Sequence, residues 1–189
     1  MKDYDPQSYW DKRAPSYRPH KAIGSEFDLI ANYVKENQPQ SILEVGAGTG
    51  RIYNYLRGHG ALGTDCAYTM VDFSVPMMDR CFESTGIRPD RWDGETLPYA
   101  DKSYDLVLSV NVALHVPEHD ILAFLSEHLR VGKSIYLVSY WSGYKKEEIA
   151  PHVFEHDYND LLSELGAKVL MKTTIGKDIK RRHWVIKPA

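Results

Sequence analysis

The chain has 189 residues, 43% of them hydrophobic and 26% charged. That make-up suits one globular domain with its own core and excludes collagen, coiled coils, disordered chains and disulfide scaffolds. Lys and Arg number 23 against 26 Asp and Glu, a net charge of −3 with histidine neutral, which argues against a dedicated nucleic-acid binder.

The first twenty residues are aromatic and charged, and are broken by Pro6, Pro15 and Pro19. They predict a short helix around Ser8–Ala14 lying over the domain. Gly24–Asn37 reads as an amphipathic helix with Phe27, Ile30, Ala31 and Val34 on one side. Ser41–Val45 is a short apolar strand that runs into glycines. A helix follows at Arg51–Gly58 with Ile52, Tyr55 and Leu56 in phase, then a strand at Ala67–Asp72 and a helix around Pro76–Ser84. The alternation continues with strands at Ile87–Trp92 and Tyr104–Ser109. A helix at Glu118–Arg130 carries Ile121, Leu122, Leu125 and Leu129, and a strand follows at Ser134–Tyr140. Asp157–Leu165 reads as a helix. Ala167–Thr174 and His183–Lys187 read as strands joined by the charged turn GKDIKRR. Strands alternating with helices imply right-handed crossovers and a parallel sheet covered on both faces. The expectation is a doubly wound (Rossmann-like) α/β domain spanning residues 1–189. It has a seven-stranded sheet, mostly parallel, with one antiparallel strand from the C-terminal hairpin, and residues 1–20 form a covering segment.

Cys66 and Cys81 form no CxxC pair and have no histidine at zinc spacing, so two thiols are expected. The opening MKDYDPQ lacks the apolar stretch of a signal peptide, and no uncharged run is long enough to span a bilayer. A cytoplasmic protein without membrane contact is expected.

The strongest local signal is Glu44-Val45-Gly46-Ala47-Gly48-Thr49-Gly50-Arg51, between a predicted strand and a predicted helix. Glycines there let the chain turn sharply and let a ligand approach the backbone without a Cβ in the way. The helix start offers N–H groups to an anionic end. Asp72 closes the next strand, 22 residues after Gly50, where a carboxylate can accept from both hydroxyls of a ribose. The pair predicts an adenosine-containing ligand. A nicotinamide or flavin dinucleotide fits less well, because the third glycine falls one residue early for GxGxxG.

Four motifs in order, ILEVGAGTGR (Ile42–Arg51), VDFS (Val71–Ser74), WDGETLPY (Trp92–Tyr99) and SYDLVLSVNVALHV (Ser103–Val116), resemble the class I S-adenosylmethionine-dependent methyltransferases. The nearest flavour is the small-molecule group often called type 11. The resemblance covers about Gly24 to the C-terminus, and it implies S-adenosylmethionine as cofactor and S-adenosylhomocysteine as product. It further implies that Gly46, Ala47 and Gly48 pass beside the methionine part, with Glu44 orienting that loop and helping to hold the ammonium. Asp72 would take the ribose hydroxyls and Phe73 would pack on the adenine. Asp93 would accept from the exocyclic amine, with Gly94 near the ring, and Val110 and Asn111 would face the methionine moiety. A turn role for Asp93, a loop role for Asn111 and a core role for Phe73 are the structural alternatives. The segment from Tyr9 to Tyr17 resembles the leading helix of that group, with Tyr9, Trp10 and Tyr17 shielding the site and an aromatic face attracting the sulfonium.

Methyl transfer is an in-line displacement at a sulfonium methyl, so an enzyme mainly aligns the groups and excludes water. An alcohol, phenol or amine acceptor also needs a base. His115, just past the fourth motif's strand, is the catalytic candidate, and His119 is expected to be exposed. Tyr140 and Trp141 are expected to border the acceptor pocket. The chain lacks [DN]PP[YF], a Pro-Cys nucleophile, paired arginine-methylating glutamates and a carboxylate cluster for magnesium, so no metal is expected. Lys177, Lys180, Arg181 and Arg182 read as a solvated basic turn. What remains by elimination is a small-molecule acceptor. An RNA or protein methyltransferase and a non-catalytic cofactor-binding subunit are the alternatives, and a homodimer is admitted.

Overall fold

The computed structural model describes residues 4–17, 24–140, 152–175 and 181–188. They fall into two compact units, one from Asp5 to Asp93 and one from Gly94 onward together with Tyr4.

In the first unit, helix α1 (Pro6–Arg13) begins two residues before its predicted start. The reason is capping: Asp5 accepts from the Gln7 N–H at 3.1 Å, and Pro6 occupies the first turn, where no donor is needed. A 3-10 turn, Ala14–Ser16, follows and buries Ala14. Helix α2 (Gly24–Asn37) buries Phe27, Ile30, Ala31 and Val34, the predicted face. Strands β1 (Ser41–Val45), β2 (Ala67–Asp72) and β3 (Asp90–Arg91) pair in parallel in the order β3-β2-β1. Between them lie α3 (Arg51–Gly58) and α4 (Val75–Thr85). The strand predicted over Ile87–Trp92 contracts to two residues, because only Asp90 and Arg91 pair in register with β2; Trp92 adds one bond from its N–H to the Asp72 carbonyl at 3.1 Å.

In the second unit, β4 (Leu106–Val110) runs parallel to β5 (Ile135–Tyr140), and β7 (Arg181–Lys187) inserts antiparallel between β5 and β6 (Lys168–Ile175). Among the described residues the strands therefore number seven, mostly parallel with one antiparallel member, as the fold class requires. Helix α5 (Ile121–Val131) starts later than predicted, because the N–H groups of Asp120 and Ile121 both close a turn on the Pro117 carbonyl. Helix α6 is Tyr158–Glu164, capped by Asp157.

Arg181 and Arg182 correct the reading of a solvated basic turn: they open β7 and are each 8% exposed. Strand pairing to Tyr140 and Ser139 draws them in, the Arg182 guanidinium lies 5.8 Å over the Trp184 ring, and its Nε donates to Thr174 Oγ1 at 3.2 Å. Lys177 and Lys180 lie outside the described residues. Cys66 and Cys81 are both thiols.

His128 on α5 is buried, its Nδ1 donating to the Phe124 carbonyl at 2.7 Å, and burial pushes its imidazole down to about 4. A folded-state pKa below the unfolded value means a contribution that is whole above about pH 6.5 and lost as pH falls to 4. The stability advantage of wild type over His128→Gln is therefore expected to shrink by up to about 3 kcal/mol between those limits in urea titrations. A gap independent of pH would show that this ring titrates normally.

Candidate functional site

The site builds up from the carboxyl ends of β1 and β2 in the first unit. Backbone curvature comes first. Gly46, Gly48 and Gly50 take φ of +71°, +56° and +73°, a region that L side chains enter at a cost of roughly 1–2 kcal/mol. The turn is tied to β2, since the N–H groups of Gly46 and Ala47 both donate to the Val71 carbonyl, at 2.9 and 3.1 Å. The glycines do different work. A Cβ on Gly50 would overlap the Thr85 side chain of α4 and lie 2.9 Å from Cys81 Sγ, whereas a Cβ on Gly48 would meet nothing within 4 Å. Gly50 thus serves helix packing. Gly48 faces open space.

Asp72, only 6% exposed, joins the two ends of the site. Its Oδ2 accepts from the Gly48 N–H at 2.8 Å and its Oδ1 from the Ser74 N–H at 2.9 Å. Burial raises its pKa, and these N–H groups together with that of Phe73 oppose the rise. Asp72 therefore shapes the turn that it was expected to serve only as a ribose acceptor. Ser74 caps α4 and donates its hydroxyl to Asp11 on α1 at 2.6 Å. Arg80 Nη1 donates to the carbonyls of Ala14 and Tyr17, so α1 and its following turn are fastened to α4 from both sides.

Beside this lies a cleft of about 290 Å³ lined by Gln7, Phe73, Arg91, Trp92 and Asp93. Phe73 is half-buried with a face on the cleft, and Asp93 is exposed there. Gln7 is the α1 residue at this cleft; Tyr9, Trp10 and Tyr17 instead pack edge-on against one another, with ring centroids 5.2 and 5.9 Å apart. Gln7, Arg91 and Trp92 escaped the sequence reading. The motif flanking Asp93 was a usable signal for Arg91 and Trp92; for Gln7 there was none.

Glu44, 2% exposed on β1, is pushed up to about 7 by burial, against the Tyr68 hydroxyl that donates to its Oε2 at 2.7 Å and the positive charge of Arg51. A carboxyl in that state can hold or lose a proton at neutral pH.

In the second unit Val110 ends β4 at 7% exposure. Asn111 follows with φ +59° and donates its N–H to the Val138 carbonyl at 2.8 Å. Non-glycine residues held in this region gather at functional sites. Gly94 takes φ +95°. His115 Nδ1 lies 2.7 Å from the His152 carbonyl, which can only accept, so the proton sits on Nδ1 and the lone pair on Nε2. Burial lowers this imidazole to about 4 and keeps it neutral. The segment carrying His152 is laced to the loop after β4 by Phe154 N–H to the Leu114 carbonyl at 2.8 Å and His156 to the Val116 carbonyl at 2.9 Å. His119 is exposed as expected, its side chain at 80%. Tyr140 ends β5, and Trp141 lies outside the described residues. Among the described residues no cluster of His, Cys, Asp and Glu could hold a metal ion, and no helix is long and apolar enough to cross a membrane.

A family model described as a methyltransferase domain matches residues 42–134. A lovastatin nonaketide synthase of Monascus pilosus is 29% identical over an alignment of 100 residues that covers 48% of this chain; the match spans only 3% of that much longer protein. Among solved structures, a SAM-dependent methyltransferase from Aquifex aeolicus aligns over 97% of this chain and 99% of its own, with a TM-score of 0.66 and 18% identity. The magnesium protoporphyrin IX methyltransferase of Synechocystis PCC 6803, solved with bound SAM, aligns over 97% and 92%, with a TM-score of 0.68 and 15% identity. Residues 42–134, which hold the glycine turn and Asp72, thus match a methyltransferase domain, and the fold is the one seen in S-adenosylmethionine-dependent methyltransferases.

Proposed function

We propose that the protein binds S-adenosylmethionine and moves its methyl group to a small-molecule acceptor, leaving S-adenosylhomocysteine. The observation that carries this reading is the pairing of open space at Gly48 with Asp72, whose carboxylate is bonded to the same loop. In this reading Gly46, Ala47 and Gly48 line the methionine arm and Glu44 faces its ammonium. The free lone pairs of Asp72 take the ribose hydroxyls. Phe73 stacks on the base, with Asp93 at its edge and Gln7 opposite. Gly94, Val110 and Asn111 enter on their motif positions. When bound, the cofactor supplies an activated methyl on a positively charged sulfur; the chain's task is to align and dry the reacting atoms. His115 Nε2, neutral at physiological pH, is the proton acceptor we assign for an acceptor that must lose a proton. A similar structure named for magnesium protoporphyrin IX supports a small-molecule acceptor.

Calorimetry with S-adenosylmethionine and S-adenosylhomocysteine tests the binding half, and mass spectrometry of reactions with a panel of small alcohols, amines and carbon acids tests the transfer. Saturable binding of both nucleosides and a product heavier by one methylene are expected. Absence of binding overturns the reading. Binding with no product from any small acceptor, but turnover on RNA or protein, overturns the choice of acceptor.

A further inference from the structure

We propose that Tyr68 is a positioning residue for Glu44, and that the two together make cofactor binding release a proton. The proposal rests on the cofactor reading above and concerns a contact that sequence motifs do not contain. Pairing of β1 with β2 sets Ile42 opposite Tyr68 and Glu44 opposite Met70. Side chains two apart on a strand share a face, so Tyr68 lies one diagonal step from Glu44. Its hydroxyl closes that step at 2.7 Å. Behind it the Tyr53 ring of α3 meets the Tyr68 ring edge-on, centroids 5.0 Å apart. The helix that starts from the glycine turn thus backs the tyrosine that holds the glutamate before the turn.

The charged and titratable surroundings of Glu44 come from each element packed on it. Tyr68 and Asp72 stand on β2, Arg51 on α3 and Cys81 on α4. Burial raises the carboxyl to about 7, Asp72 adds to the rise, and the Tyr68 bond and Arg51 pull the other way. Near neutral pH the group is divided between the acid and its anion. An ammonium arriving beside it favours the anion, so the carboxylic acid becomes carboxylate and its proton leaves to solvent. The Tyr68 hydroxyl remains protonated throughout, since burial and the neighbouring carboxylate push it well above the usual phenol range. Its part is to keep one oxygen of Glu44 occupied and the other turned to the ligand side.

The experiment is calorimetry between pH 6 and 8 in buffers of different ionisation heat. It uses S-adenosylhomocysteine and 5′-methylthioadenosine, which keeps the nucleoside and lacks the amino-acid arm. With wild type, the first ligand should release most of a proton at pH 6, little at pH 8, and bind about tenfold tighter at the higher pH. The second should show neither effect. Tyr68→Phe removes a bond that favours the anion, so its midpoint should move to higher pH, with a deficit at pH 7 that narrows as pH rises. Should that variant not fold, Glu44→Gln should bind S-adenosylhomocysteine with no proton release. Proton-neutral, pH-independent binding to wild type, or a Tyr68→Phe deficit equal at every pH, overturns the proposal while leaving the cofactor reading intact. If neither nucleoside binds wild type, both fall.

Discussion

Gly50→Ala is expected to lower stability by roughly 2–5 kcal/mol, the sum of left-handed strain and overpacking. The same change at Gly48 is expected to cost only the strain, about 1–2 kcal/mol. The two glycines have similar φ, +73° and +56°, so backbone conformation alone does not separate them. Their neighbours do. The methyl group added at Gly50 enters space held by Thr85 and Cys81, and neither can retreat freely. Cys81 is fully buried, and Thr85 Oγ1 is bonded to the Cys81 carbonyl at 2.8 Å and receives the Ile87 N–H at 3.0 Å. At Gly48 the added methyl meets no protein atom within 4 Å. In denaturant titrations Gly50→Ala should therefore be the less stable variant by a wide margin. In calorimetry Gly48→Ala should be the one that loses affinity for S-adenosylhomocysteine, by tenfold or more, because its methyl occupies the ligand's space. Equal destabilisation would contradict the packing argument. Wild-type affinity in Gly48→Ala would remove the cofactor from this turn.

The second large effect is expected at Asp72. Asp72→Ala should weaken S-adenosylhomocysteine binding by roughly 1–3 kcal/mol, the usual worth of hydrogen bonds to a charged group. It should also lower stability by a similar amount, because the Gly48 and Ser74 N–H groups lose their acceptor. Asp72→Asn separates the two effects. An amide presents one acceptor oxygen where the carboxylate presents two, so one of the two N–H groups then faces an NH₂. Stability and affinity should both fall, with the glycine turn the region whose amide exchange quickens most. An affinity loss with unchanged exchange would confine Asp72 to the ribose. Unchanged affinity in Asp72→Ala would contradict the ribose assignment outright.

Much of this molecule is legible without coordinates because the relevant forces are local. Helical phase put Phe27, Ile30, Ala31 and Val34 on the buried side of α2, and the strand–glycine–helix order marked the turn at Gly46–Gly50. Boundaries moved where one or two local hydrogen bonds outvoted the pattern: Asp5 starting α1 early and the Pro117 carbonyl delaying α5. Four features came from chain segments far apart. These are the Asp72–Gly48 and Tyr68–Glu44 bonds, each spanning 24 residues, the arrival of Gln7 at the cleft, and the burial of Arg181 and Arg182, the latter against Trp184. Periodicity says which face of a strand is apolar. Which tyrosine meets which glutamate depends on strand register and on the helices behind it, and those exist once the chain has closed on itself.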